Sequence, residues 1–595
     1  MGRLRSILRL TTLKKLLFGL LATVLPLVVL ILIEGGLRLA GVQEQERQAF
    51  IPIPGKASHL MLNPAYVDRY FNDFRPGIAF TPFAADKPAH TFRIFVLGGS
   101  SAAGFPYAFY DGFPTRLGEH LQSLHPTHQI EVVNLAMTAV NSYTLWDLAP
   151  KVAEHEPDAV VIYAGHNEYY GALGVGSSLS GVQRWPWLKR LSLRLQNVVL
   201  YRLLQDLLTG DETPRPPGAG TLMSRAVQDA TIALDGEAYH AGLAQFEHNM
   251  NEVLHTFASI NTPVYLGTVA SNLADQPPLG EANAARSAYE RGQAFQTANP
   301  AAALAAFTEA KEYDDIRFRA PEAINAHIRS FAARPGVTLV DTESVLRDTS
   351  PYGLPGDSLF TDHLHPAAQG YALMADAFAQ ALYPHLGVAD STAPPPQAPL
   401  APFDDTLADL NLQLLKSAYP FVKDRTAAEE QRVRTSLLQR FGQGSPLQRL
   451  ATESIQQGQT GPPVLQRALQ ISGSERDTLG TLLTYRALLQ WQPFNTELHK
   501  TATAFALQTA GHFPTAAHLI ALRGAQSFPA DPFYWNALGA LALFDNQPQR
   551  ALTYLRHVET LAPDDRTMLS NMARAYVMLD DLDQARMYFE RSRQP

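Results

Sequence analysis

The sequence predicts an α/β fold built on a parallel sheet, preceded by one apolar span and followed by a separate helical repeat. Short apolar runs stopped by turn residues recur at 92–97, 130–135, 158–163, 263–268 and 337–341, with helical spacing between them. Repeated strand–helix alternation argues a parallel sheet with helices on both faces. Beyond residue 400, alanines and prolines recur every 34 residues, the mark of stacked helical hairpins. Near the start, Leu16–Ile33 carries no charge and is long enough to cross most of a bilayer core of roughly 30 Å.

The 595 residues leave room for roughly three to four domains. A hydrophobic share of 46% with 17% charged residues describes globular material. The formal net charge of −8, with no basic stripe beyond the N-terminus, excludes nucleic acid as the expected partner. The absence of cysteine excludes disulfides, zinc–thiolate sites and a cysteine nucleophile.

Residues 1–15 hold Arg3, Arg5, Arg9, Lys14 and Lys15 and no acid. This basic flank predicts that the tail stays in the cytoplasm, that 16–34 anchors the chain in the inner membrane, and that the bulk lies outside, in the periplasm. The competing reading is a cleaved signal peptide. Glu34 and Arg38 stand where a small-residue cleavage site would follow, and they can pair at the interface. Residues 43–90, with Pro52, Pro54, Pro64, Pro76 and Pro82, read as an irregular lead-in. The sheet-bearing domain spans 91–387. Its expected helices lie near 113–124, 145–154, 188–208, 236–260 and 367–381. Right-handed crossovers should bring all strand ends to one edge. Within this domain Tyr289, Gly292, Ala303, Phe307 and Ala310 mark a helical hairpin inserted at 284–315.

Residues 388–402 (VADSTAPPPQAPLAP) form a Pro/Ala-rich linker. In 403–595, Ala517, Ala551 and Ala585 share one period, as do Pro529 and Pro563, and Trp535, Leu538 and Gly539 match W-x2-L-G. These are signs of tetratricopeptide repeats, with small residues where paired helices cross. The stretch up to Pro493 is helical but degenerate. A protein partner is expected to bind through these repeats.

The chemistry centres on FRIFVLGGSSAAG, Phe92–Gly104. An apolar strand ending in Gly98-Gly99-Ser100-Ser101 displays a serine at the carboxyl edge of the sheet, where ligands of open α/β sheets bind. The helix that follows offers free N–H groups and a positive dipole to an oxyanion. Ser100 is the candidate nucleophile, with Ser101 as the alternative. Strand two leads into NLAMTAVNS (Asn134–Ser142), strand three into AGHNEYYG (Ala164–Gly171), and strand five is followed by TDHLHP (Thr361–Pro366). Ester cleavage needs a nucleophile, a base, an orienter of the base and donors for the oxyanion. His365 can be the base and Asp362 its orienter. Asn167 and the N–H groups of Ser100 and Ala139 can form the oxyanion hole. Other readings stand beside these: Asn167 as a turn residue, Asp362 as a helix N-cap, and His363 with His365 as metal ligands, for which no third ligand has sensible spacing.

Across roughly 90–385 these four pieces resemble the SGNH/GDSL-type hydrolases. G-D-S-x-x-x-G is matched by Gly98-Gly99-Ser100 through Gly104, with Gly99 in place of aspartate. The second block's glycine donor is matched by Ala139, five residues after Asn134. G-x-N-D is matched by Gly165-His166-Asn167-Glu168, and D-x-x-H-P by Asp362, His365 and Pro366. The resemblance implies a flavodoxin-like sheet, a Ser100/Asp362/His365 triad, oxyanion donors at Ser100, Ala139 and Asn167, and ester or acyl chemistry. Alanine at 139 keeps the N–H but adds a methyl and disfavours positive φ.

Gly99, His166 and Asn272, at the ends of strands one, three and four, are expected to line the substrate site. Arg184–Asp206, with Trp185, Trp187, Lys189, Arg190 and Arg194, reads either as a membrane-surface helix or as an ordinary helix on the sheet. Arg317 and Arg319 read either as binders of an anionic substrate or, as favoured, as partners of Asp314 and Asp315. The reading as a whole is a membrane-anchored serine esterase acting on an ester, acylated glycan or lipid, with no metal and no cofactor. An O-acyltransferase with the same triad, or an inactive scaffold, are the alternatives.

Overall fold

The computed structural model describes residues 22–71, 76–125, 128–176, 185–209, 223, 231–388 and 398–593. The basic tail at 1–15, residues 16–21 of the apolar run, Arg184 and linker residues 389–397 lie outside them.

Five parallel strands form the central sheet: β4 (Thr91–Gly98), β5 (Gln129–Asn134), β6 (Ala159–Tyr163), β7 (Val264–Gly267) and β8 (Val337–Val340), in the order β5-β4-β6-β7-β8. Each lies within a residue or two of its apolar run. Successive side chains of a strand point to opposite faces. Every residue of β6 is buried, so both faces of the sheet are covered. The covers are helix pairs, Phe113–Leu124 against Ala368–Leu386 and Ser142–Ala153 against Glu237–Ser259. Phe113 stacks on Phe378 at 5.1 Å within one cover. All strands run the same way, so their carboxyl ends share one edge.

The lead-in differs from the irregular stretch expected. It forms a three-stranded antiparallel sheet of β1 (Phe50–Ile53), β2 (Lys56–Leu62) and β3 (Phe83–Ala84). Phe83 is fully buried between Phe50 and Phe95. Arg93 ties this sheet to the main one, donating to Ala84 O at 2.7 Å while pairing with Glu131.

The helix expected at 188–208 is two helices, Pro186–Leu195 and Val199–Thr209. Glu34 meets the start of the second: its carboxylate accepts from Val199 N at 3.1 Å and Leu200 N at 3.0 Å, capping that helix from a distant part of the chain. Glu34 belongs to the apolar helix Ala22–Leu39, whose residues 22–33 are exposed among the described residues. Arg38 pairs with Glu34 and donates to Asn197 O. On Pro186–Leu195, Trp187 is exposed, but Lys189 points inward and donates to Leu173 O at 2.5 Å. The insert is the hairpin Asn283–Phe295 and Pro300–Tyr313. Arg319 pairs with Asp314 at 3.1 Å, as expected. Arg317 does not pair with an acid; it donates to the carbonyls of Ile232 and Glu312.

Among the described residues, eleven helices follow from Pro402 to Ser592. Those starting at Pro514, Pro548 and Leu582 are spaced by 34 residues. A side-chain carbon at Gly539 would come within 2.6 Å of Leu555, so glycine sets how closely those two helices pack. This array is joined to the sheet by a buried charge cluster. Arg486 donates to Asp111 at 2.9 Å and to both oxygens of Glu119 at 3.0 and 3.1 Å. Tyr110 donates to Asp404 at 2.8 Å and packs in the array's core.

Candidate active site

β4 ends at Gly98 and the chain turns at once into the single helical turn Ser100–Ala103, closed by Gly104 at φ +106°. Crowding dictates the glycines. A side-chain carbon on Gly98 would meet Tyr163 O at 2.3 Å, and one on Gly99 would meet Asn167 Nδ2 at 2.8 Å. The aspartate of the G-D-S pattern is thus replaced where the Asn167 amide occupies its space. The helix expected to lend a dipole is one turn long, so its contribution is free N–H groups. The next long helix starts only at Phe113.

His365 comes to this turn on the loop between the helices Thr342–Thr349 and Ala368–Leu386. Asp362 builds that loop, its Oδ1 accepting from the N–H groups of Leu364 and His365, both at 2.9 Å. Its Oδ2 lies 2.6 Å from His365 Nδ1, and His365 Nε2 lies 2.7 Å from Ser100 Oγ. Burial alone would raise the Asp362 carboxyl. The charges and hydrogen bonds of His365 and His363 outweigh it and hold the group well below the usual range. An ionised Asp362 only accepts, so His365 Nδ1 carries the hydrogen and Nε2 is left to accept from the serine hydroxyl. The structure therefore brings Ser100, His365 and Asp362 into one hydrogen-bonded line, with relative exposures of 6%, 7% and 1%. Asp362 does not cap the following helix, whose N-cap is Ala367. Ser101 points the other way and donates to Leu364 O at 3.3 Å, fastening the His365 loop.

The line opens on a recess of about 10 Å³ among Gly99, Ser100, Val140, Gly165 and Asn167, room for about one water-sized atom. Among the described residues, no partner is recorded for the N–H groups of Ser100 and Ala139 or for the Asn167 side-chain amide. Ala139 has φ +60°, the left-handed conformation. Its carbonyl accepts from Ala172 N at 2.7 Å, which joins the second loop to the third. Asp362, His363 and His365 also have the density of a metal cluster, but Asp362 and His365 already hold one another and the serine.

Of the residues expected to line the site, His166 does so with both ring nitrogens taken, and Asn272 is engaged elsewhere. His166 forms part of the recess wall, but Nδ1 accepts from Ala320 N and Nε2 then donates to Ala270 O, both at 3.1 Å. Burial first, then the charges of His363, His365 and Lys311, push it down to about 3, so it stays neutral. Asn272 donates to Asp357 Oδ1 at 2.8 Å and accepts from Asp275 N at 3.0 Å; it braces a loop.

Phe105, and the bracing role of Glu168, escaped the sequence reading. The Phe105 ring lies 4.5 Å from the His365 ring; its only sequence signal is its place beside Gly104. Glu168 accepts from Ser142 Oγ at 2.7 Å and from Gln245 Nε2, locking the Asn167 turn to two helices. Its place beside Asn167 marked it, but only as a substitute for aspartate.

Residues 96–373 match the model of the GDSL-like Lipase/Acylhydrolase family. No curated protein matches the chain. Among solved structures, the chain is similar to the lipase/acylhydrolase from Enterococcus faecalis, at 14% identity, covering 51% of this chain and 100% of that one with a TM-score of 0.27. It is also similar to the acetyl xylan esterase AlAXEase, at 15% identity over 49% of this chain and 100% of that one, TM-score 0.27. A GDSL-like lipase from Bacteroides thetaiotaomicron matches at 12% identity over 49% and 88%, TM-score 0.26. The match over residues 96–373, just under half of the chain, supports an ester-bond hydrolase.

Proposed function

We propose that Ser100 is the nucleophile of a two-step acyl transfer, with His365 as base and Asp362 as its orienter. The observation that carries this reading is the line Ser100 Oγ–His365–Asp362, at 2.7 and 2.6 Å. Ser100 gives its proton to His365 Nε2 as Oγ bonds to the ester carbonyl carbon. The carbonyl oxygen becomes an oxyanion, for which the N–H groups of Ser100 and Ala139 and the Asn167 amide are the proposed donors. Collapse breaks the bond to the alcohol, whose oxygen takes the proton from His365 and leaves acyl-Ser100. Water then loses its proton to His365, attacks the acyl carbon, and releases the acid with the serine hydroxyl restored.

The substrate class is an ester of an envelope lipid or acylated glycan. The proposal also covers the surroundings. Residues 16–34 anchor the chain, supported by the apolar helix Ala22–Leu39 and the basic flank, with the catalytic and repeat regions outside the cytoplasm. Residues 91–387 are the hydrolase domain, and 403–595 a tetratricopeptide solenoid that binds a protein partner, supported by the 34-residue spacing of helix starts.

The test is hydrolysis of p-nitrophenyl acetate together with labelling by a fluorophosphonate probe. Wild-type protein should do both, and Ser100→Ala should lose labelling and roughly 10³-fold or more of kcat. Hydrolysis that survives Ser100→Ala removes the nucleophile. The inactive-scaffold reading draws on Gly99 and Ala139; folded protein that neither labels nor cleaves would establish it.

A further inference from the structure

A cleft of about 420 Å³ lies beside the catalytic turn, and the helical array builds half of it. Its near wall includes Phe105, Tyr107 and Thr138; its far wall includes Phe403, Leu407 and Trp491. The near wall borders the site through Phe105, although the cleft and the recess at Ser100 have no lining residue in common. Phe105 packs its ring against His365 at 4.5 Å, and Thr138 adjoins Ala139 in the chain. The far wall is fixed to the near one. Phe109 packs edge-on against Trp491 at 5.1 Å, and Tyr110 bonds Asp404 at the base of the helix that carries Leu407.

The lining is mostly apolar; Thr138, Asn411 and Thr460 are its part-exposed or exposed polar side chains, and its buried ones are hydrogen-bonded. Asp404 accepts from Tyr110, and Ser454 donates to Gln459 O. Burial first, then the nearby Asp111 charge, push Asp404 up to about 8, so it presents no full charge at neutral pH. A space of this size with apolar walls and few free polar groups suits an aliphatic chain, not a sugar that needs hydroxyl partners.

We propose that this cleft is the acyl-chain site of the enzyme, its inner end opening at Phe105 toward Ser100 and its outer wall supplied by the helical array. The proposal rests on the catalytic reading of Ser100 and names its substrate: an ester with a medium-length aliphatic acyl group. The array is then part of the specificity site as well as an appendage of the hydrolase.

The experiment uses full-length protein in detergent and p-nitrophenyl esters of increasing acyl length, so that the leaving group is constant. In wild-type protein kcat/KM should rise at least tenfold from acetyl to octanoyl. Leu407→Trp, which fills the cleft, and Trp491→Ala, which removes its outer wall, should each lower the octanoyl-to-acetyl ratio by tenfold or more. Alkyl fluorophosphonates give a second readout on wild-type protein alone: the rate of Ser100 labelling should rise with alkyl length. A profile that is flat or falls with chain length, with acetate still cleaved, overturns the cleft and leaves the catalytic reading intact. So does a ratio that neither variant moves. No cleavage of any ester and no labelling overturns both.

Discussion

Alanine at 139 holds a backbone that glycine holds without strain. A single left-handed alanine costs roughly 1–2 kcal/mol, offset in part by the extra freedom glycine gains when unfolded. Ala139→Gly should therefore stabilise the protein by about 0.5–1 kcal/mol, read as a rise in Tm, with no loss of kcat. Gly99 is the opposite case. Restoring the aspartate of the G-D-S pattern would push a side chain into Asn167 Nδ2, 2.8 Å from where its first carbon must sit. If that amide is an oxyanion donor, Gly99→Asp should lower kcat by roughly 10²-fold while the protein stays folded. Glu168 sets a pH dependence. Burial first, against hydrogen bonds from Gln245 and Ser142, pushes it up to about 7. Folding therefore favours its protonated form. Its contribution is fully present below the unfolded value near 4.3 and is lost as pH rises to about 7. Thermal melts at pH 5 and pH 8 should differ less for Glu168→Gln than for the wild type, whatever the variant's absolute stability.

Elements show how far local pattern reaches. The five strands were legible because apolar runs of strand length ending in turn residues are a local signal, and parallel strands buried on both faces strengthen it. The residues that meet at the strand ends were legible too, since topology alone delivers those loops to one edge. Where a distant partner decided the outcome, the sequence was silent. Nothing local marks Glu34 as the group that caps the helix at Val199, or Ala270 and Ala320 as the backbone that claims both nitrogens of His166. The two-residue β3 is too short to show a period, so the lead-in read as irregular. The Glu34 cap makes its own prediction. Glu34→Ala should cost about 1 kcal/mol, and amide exchange at Val199 and Leu200 should quicken while the five-stranded sheet keeps its protection.

At the scale of the molecule, the sheet and the array share buried charge. Arg486 balances Asp111 and Glu119, and it is itself only 5% exposed. Arg486→Ala would leave two acids without their bonded partner, facing only the more distant charges of Arg116 and Arg523. A loss of about 3–5 kcal/mol is expected, visible as a drop in Tm. Arg486→Lys should recover only part of it, because one ammonium cannot reach both acids in the guanidinium's fork geometry.

That seam means the repeats are not severable. An enzyme truncated after residue 388 would bare Phe109 and Tyr110, which pack in the array's core, and would strand Asp111 and Glu119 without their arginine. Such a fragment should come out sticky and prone to precipitate even if every residue of the catalytic line were intact. Anyone wishing to graft this hydrolase onto another scaffold would have to carry the helices through Trp491 along with it, or rebuild the exposed flank around Tyr110 as a polar surface.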